Sequence, residues 1–153
     1  MVKVKAERTM DCVVAGARTF DEGDVASLLL GLYDDGVLRH VGVASSMGKA
    51  LRVQLREDLE GLVVDLWTHP WAKGFALEGG PMGRLKGAAG RWTPDLPLDW
   101  IPLAPVRVCE VRYDQVDGAR LRHPARFQRW RPDRDPHSCT VEQLVDARTV
   151  ERS

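Results

Sequence analysis

The sequence has no C-x-x-C pair, and its three cysteines, Cys12, Cys109 and Cys139, stand far apart. Its four histidines, His40, His69, His123 and His137, are scattered as well, so the ligand spacing of a zinc site is missing. An odd number of thiols suits a reducing cytoplasm. Charge of one sign is absent too: 22 basic residues balance 22 acidic ones. A strongly basic nucleic-acid-binding domain is thereby excluded, and any such surface must come from uneven placement of charge. The longest apolar runs, such as Leu28 to Leu32, are strand-sized, and neither a leader peptide nor a spanning segment is visible. The expectation is a cytoplasmic protein with no membrane partner. Internal repeats and low-complexity tracts are lacking as well.

What remains is a chain of 153 residues, 44% apolar, enough for one ordered core and poorly suited to two domains. We therefore expect one domain over residues 1–153. The N-terminal third reads as strands. Cys12 to Ala17 is a short apolar run, Val25 to Tyr33 is aliphatic and β-branched, and Val37 to Ala44 resumes after the turn signal Asp34-Asp35-Gly36. Ser45 and Ser46 offer an N-cap. Leu51, Leu55, Leu59, Leu62, Val63 and Leu66 then recur at helical steps until Pro70. Periodicity fails from His69 to Pro105, where Gly, Pro and Trp dominate, so an irregular loop is expected at about 69–105. Trp67 and Trp100 read as packing anchors, and the alternation of Trp130 with Arg129 and Arg131 points its ring inward. Val106 to Tyr113 alternates again, Asp117-Gly118 marks a hairpin turn, and Arg120 to Trp130 reads as the partner strand. Thr140 and Gln143 have capping-box spacing before a short C-terminal helix. Three strands, a helix and two strands is the element order of a mainly β OB-fold: a five-stranded Greek-key barrel with a helix between strands 3 and 4.

Two segments carry more than generic barrel pattern. Lys3-Val4-Lys5, followed by Arg8-Thr9-Met10-Asp11-Cys12-Val13-Val14-Ala15-Gly16, is similar to motif V of the ATP-dependent DNA ligases. Arg126-Phe127-Gln128-Arg129-Trp130-Arg131-Pro132-Asp133-Arg134-Asp135-Pro136 resembles their motif VI. The usual R-x-D-K core of that motif is here Arg131-Pro132-Asp133-Arg134, with arginine in the lysine's place. Val108-Cys109-Glu110-Val111-Arg112-Tyr113 looks like the strand that precedes motif VI. The resemblance spans nearly the whole chain and is nearest to small bacterial ligases of actinobacterial type.

That resemblance implies the C-terminal OB-fold domain of a DNA ligase (ATP) acting in DNA repair, recombination or replication, cytoplasmic and nucleoid-associated. ATP and Mg2+ would be the cofactors of the complete enzyme, bound stably by no part of this domain alone. Nicked duplex DNA and a nucleotidyltransferase domain, in cis or in trans, would be the partners. Lys3 and Lys5 would contact the α-phosphate, and Arg131 and Arg134 the β- and γ-phosphates, with Asp133 ordering the arginines. Arg120, Arg122, Arg126 and Arg129 would face DNA. The nucleophile motif K-x-D-G-x-R of the family is not found, since Lys49, Lys73 and Lys86 are followed by Ala, Gly and Gly. The chain is thus expected to be a dissected fragment, a truncated gene product or half of a split enzyme, inactive alone. Two other readings stand beside this one: a free-standing OB module binding single-stranded nucleic acid through exposed aromatics, and a protein-interaction module. The bland reading of the arginines is a solvated face paired with Asp114, Asp117, Asp133 and Asp135. That of Lys3 and Lys5 is a frayed terminus, that of His123 a strand-edge residue, and that of the cysteines small buried apolar groups.

Overall fold

The structure is a computed structural model that describes residues 8–20, 23–65, 68–71, 100–118 and 120–152. Strand β1 (Thr9–Thr19) pairs antiparallel with both β2 (Val25–Asp34) and β4 (Ile101–Arg112). Strand β3 (Val37–Ala44) pairs with β2, and β7 (Arg126–Trp130) pairs with β4, giving the order β3-β2-β1-β4-β7. The two ends of that sheet meet. Ala44 and Ala125 form a parallel bridge, in which the Ala125 N–H donates to Val43 O at 2.8 Å and the Ser45 N–H to Ala125 O at 3.0 Å. A parallel contact between the third strand and the last closes the sheet into the expected OB barrel. The core is largely apolar, with Val13, Leu28, Leu30, Leu32, Leu55, Leu59, Ile101 and Leu103 fully buried.

The β2–β3 turn at Asp35-Gly36 forms as expected, with both residues at positive φ. Gly118, at φ +63, turns the small hairpin of β5 (Val116–Asp117) and β6 (Arg120–Leu121). Leu121 packs so close to β3 that a Cβ on Gly42 would lie 3.0 Å from Leu121 Cβ.

Several expectations need correction. The helix α1 runs Lys49–Leu59, with Gly48 rather than Ser45 or Ser46 at its N-cap and no side-chain cap bond. Ser45 is still engaged in barrel closure, and Ser46 sits at φ +61. The helix also stops well before Pro70. After a short turn at Glu60–Leu62, Val63 bridges to Leu103 and the Val64 N–H donates to Pro102 O at 3.0 Å. Pairing with β4 satisfies these backbone groups better than another helical turn would. For the same reason 101–105 belongs to β4 and not to the loop expected at 69–105; residues 72–99 of that loop lie outside those described. The expected strand from Arg120 to Trp130 is two pieces. The chain leaves β6 at Arg122, passes Pro124, which has no N–H to give, and rejoins the sheet at Ala125.

The C-terminal segment completes the edge of the barrel. Residues beyond Asp135 make a turn at Pro136–Ser138 and then run beside β2, where the Tyr33 N–H donates to Cys139 O at 2.8 Å. Helix α2 (Glu142–Arg152) follows. Gln143 does not return to Thr140 as a capping box would. Its side-chain amide takes the Asp11 N–H on Oε1 at 3.1 Å and donates from Nε2 to Asp11 O at 2.9 Å. The pairing of β1 with β2 begins only at Val13, so at Asp11 this amide stands in for the missing strand.

Candidate functional site

Register decides which charges share a surface. Asp11 pairs with Glu110, and Glu110 with Arg129, so the three form one row across β1, β4 and β7. Thr9, Arg112 and Arg126 form the next row. The irregularity between Glu110 and Val111 leaves Gln128 as the extra residue of β7. Without that bulge Arg126 and Arg129, three apart, would face opposite ways. With it both point outward, while Phe127 and Trp130 turn toward the interior and stack edge-on at 5.2 Å. Trp130 is half-buried, its indole N–H donating to Asp58 Oδ2 at 2.9 Å and its ring covered by Arg107 at 5.4 Å.

The Arg131-Pro132-Asp133-Arg134 segment folds back over the first row. The Arg131 N–H donates to Val108 O at 2.8 Å, which extends the ladder one residue past β7. Arg134 Nη1 donates to Asp11 Oδ2 at 2.7 Å; its Nε donates to Ser138 Oγ and its Nη2 to Ser138 O, each at 3.1 Å. Arg131 lies 3.5 Å from the same Asp11 oxygen and 3.8 Å from Glu110 Oε2. Its Nε and Nη2 face the two oxygens of Asp133, each at 3.3 Å. The Arg131 guanidinium holds the Asp133 carboxyl below its ordinary range, and Asp133, then Asp11, raise Arg131 in return. Arg129 Nε donates to Glu110 Oε1 at 3.1 Å. Two arginines thus share one carboxylate oxygen of a side chain only 9% exposed.

The structure therefore brings Arg126, Arg129, Arg131, Asp133 and Arg134 onto one face. Arg120 and Arg122 are exposed but sit apart on the β5–β6 hairpin side, with Arg122 Nη1 donating to Gln115 Oε1 at 3.1 Å. Lys3 and Lys5 lie outside the described residues. Asp11, Glu110, Ser138 and Gln143 were missed by sequence reading. A signal was present for Asp11: a lone carboxylate entering an apolar strand must find a cation or stay costly to bury.

Other candidates take quieter roles. Trp100 is a buried anchor as expected, and Trp71 joins it, their rings 6.0 Å apart. Trp67 lies outside the described residues. His69 Nε2 lies 2.6 Å from Ala15 O and its Nδ1 accepts the Trp71 N–H at 3.0 Å, so the proton sits on Nε2. Burial lowers its pKa. His123, at an exposed edge, lies 2.8 Å from Asp114 Oδ2. The three cysteines are buried, and burial pushes their thiols up, away from nucleophilic use. Among the described residues no group of three or more His, Cys, Asp or Glu could hold a metal ion. No helix among them is long and apolar enough to cross a membrane.

A family model described as the ATP dependent DNA ligase C terminal region matches residues 21–134, more than half of the chain and including the whole Arg131–Arg134 loop. The chain belongs to that ligase family. Among its curated relatives, DNA ligase C2 of Mycolicibacterium smegmatis is 49% identical over 94% of this chain and 42% of its own length. DNA ligase C of Mycobacterium tuberculosis is 47% identical over 100% of this chain and 43% of its own. The chain thus spans about two fifths of the ligases it matches, and is a C-terminal ligase domain. The ligase domain of LigD from M. tuberculosis shares the fold, with TM-score 0.63 at 24% identity over 89% of this chain and 39% of that one. A mycobacterial DNA ligase D complexed with ATP and MES aligns with TM-score 0.61 at 25% identity, over 89% and 38%. Of the described tryptophans, Trp71 and Trp100 are buried and Trp130 is engaged with Asp58, so none of these three is presented as a platform for single-strand stacking.

Proposed function

We propose that residues 1–153 act as one OB-fold domain, with an irregular loop within 69–105, that supplies the phosphate-orienting and DNA-gripping half of ATP-dependent nick sealing. The observation that carries this is the convergence of Arg131 and Arg134 on Asp11, on the sheet face that also bears Arg112, Arg126 and Arg129. Each step of ligation gathers negative charge on phosphorus oxygens, and preorganised cations aimed there lower the barrier. ATP is the substrate that delivers AMP, with pyrophosphate as leaving group. The Arg131–Arg134 pair would orient its outer phosphates, directly or one through the other, Lys3 and Lys5 would contact its α-phosphate, and Asp133 would order the arginines in the unliganded loop. Arg126 and Arg129, with Arg120 and Arg122 beside the sheet, would grip the duplex across a nick through phosphate contacts that carry little sequence information.

The nucleophilic lysine must come from a nucleotidyltransferase domain, in cis or in trans. The carboxylates of this face do not fit Mg2+, because Asp11, Glu110 and Asp133 each face a guanidinium. The reading places the domain with DNA in the cytoplasm, in repair, recombination or replication. Mixing the chain with a separately produced nucleotidyltransferase domain, ATP, Mg2+ and a nicked duplex tests it. Sealing should return and should be lost with Arg131→Ala. Sealing that is equal with and without this chain would overturn the reading.

A further inference from the structure

The two arginines of the loop are held in unlike ways. Arg134 is tied to the protein at every nitrogen. All three of its nitrogens donate, one to the buried Asp11 carboxylate at 2.7 Å and two to Ser138 at 3.1 Å. Ser138 is fixed in turn, its hydroxyl donating to Asp135 O at 2.6 Å. A phosphate that took over its Nη1 would have to break the short ion pair to Asp11, and one that took over its Nε–Nη2 edge would have to displace both Ser138 oxygens. Gln143 anchors the Asp11 backbone at both its N–H and its C=O.

Arg131 is different. Its Nε–Nη2 edge is the side-on fork that binds a carboxylate or a phosphate through two parallel bonds. That edge carries Asp133, a carboxylate 68% exposed, at two long distances of 3.3 Å. Exposed pairs of this kind contribute little and are readily exchanged. Arg131 Nη1, meanwhile, points back toward Asp11 at 3.5 Å and Glu110 at 3.8 Å, which fixes the plane of the fork without filling it.

We propose that Asp133 occupies the Arg131 fork as an internal anion and is exchanged for a substrate phosphate, while Arg134 and Asp11 are positioning residues that never touch the phosphate. This rests on the phosphate-orienting role proposed above, and it divides that role between two residues that the motif alone treats as equals. An incoming phosphate brings more charge and more acceptor oxygens than the carboxylate it displaces. Asp133 sits two residues along on an exposed turn and can swing into solvent. Asp11 and Glu110 remain to hold the guanidinium in plane. Arginine at position 134, where the family usually has lysine, follows from the strut role: an ammonium cannot span Asp11 and both Ser138 oxygens with fixed geometry.

The test is a titration of this chain with inorganic pyrophosphate, followed through the arginine Nε–Hε signals by NMR at constant ionic strength. The Arg131 signal should shift with saturation and the Arg134 signal should stay. Asp133→Asn should tighten pyrophosphate binding about fivefold, as removal of a weak competing pair requires. Arg131→Gln should abolish the response. Arg134→Lys should weaken binding although the charge is kept. A shift at Arg134 as large as that at Arg131 would overturn the proposal, as would Asp133→Asn binding no tighter than the parent chain. An absent response at Arg131 in the parent chain and in Asp133→Asn also overturns it. None of these outcomes decides the sealing assay, which can succeed or fail on its own. If Arg134→Lys fails to fold, the Arg134 signal of the parent chain and the Asp133→Asn affinity still decide.

Discussion

Asp11 and Arg134 lie 2.7 Å apart across 123 residues of sequence, and the carboxylate they share with Arg131 is only 9% exposed. A buried charge is stable only with its partners in place. Asp11→Ala should therefore cost about 1–3 kcal/mol of folding stability, because Arg134 loses its acceptor in a half-shielded site. Urea unfolding should show a lower midpoint with an unchanged slope. An unchanged midpoint would mean the pair contributes nothing.

Gln143 makes a second, independent demand. Its amide serves both backbone groups of Asp11, so Gln143→Ala should leave a donor and an acceptor unpaired and lower stability by about 1–3 kcal/mol. Gln143→Glu should recover part of this, since it still accepts but cannot donate. Equal loss in the two variants, by thermal unfolding, would contradict the pairing.

Histidine burial sets the acid limit. Burial, with Arg120 adding and the backbone of Gly42 opposing, lowers His40 from 6.5 to about 3, its ring edge-on to Trp71 at 5.4 Å. His69 is lowered as well, mainly by burial. The unfolded chain takes up the His40 proton near pH 6.5, whereas the folded chain does so only near pH 3. Stability is therefore fully present above about pH 6.5 and is lost at about 1.4 kcal/mol per pH unit for His40 as pH falls toward about 3. Urea titrations between about pH 8 and 4 should show this slope, and His40→Leu should flatten it by one proton.

Close packing around the Trp100 indole gives another test. A Cβ on Gly16 would lie 2.7 Å from Trp100 and 2.8 Å from Leu29. Gly16→Ala should cost about 1–3 kcal/mol through overpacking. Gly36→Ala meets no atoms within 4 Å and should suffer only from its φ of +80. The first change should also broaden the Trp100 indole signal, and the second should not.

The DNA-facing reading predicts a salt signature. Affinity for a nicked duplex should fall with salt by about 0.9 log units per phosphate contact. Arg126→Ala and Arg129→Ala should each reduce that slope by about one contact, because both project from the same face of β7. Slopes unmoved by either change would place the duplex elsewhere on the domain.

Pattern alone determined a good deal of this protein. The apolar runs of β2 and β3, the alternation of the second half of β4, the Asp35-Gly36 and Asp117-Gly118 turns, and the order of strands around one helix follow from side-chain pattern and turn chemistry, which are local. The motif run from Arg126 to Arg134 was legible because its residues are neighbours. Other features were decided by contacts between distant residues. Barrel closure at Ala44 and Ala125 displaced the helix start, and pairing of Val63 and Val64 with the first half of β4 ended the helix early. The bulge at Gln128 put Arg126 and Arg129 on one face. Asp11, Glu110 and Gln143 entered the site only because β1, β4 and α2 meet there. A buried carboxylate reads in sequence as one polar residue in an apolar strand. Which cations neutralise it, and which arginine is thereby left able to bind a phosphate, depends on tertiary packing, because ion pairs are selected by distance in space and not by separation along the chain.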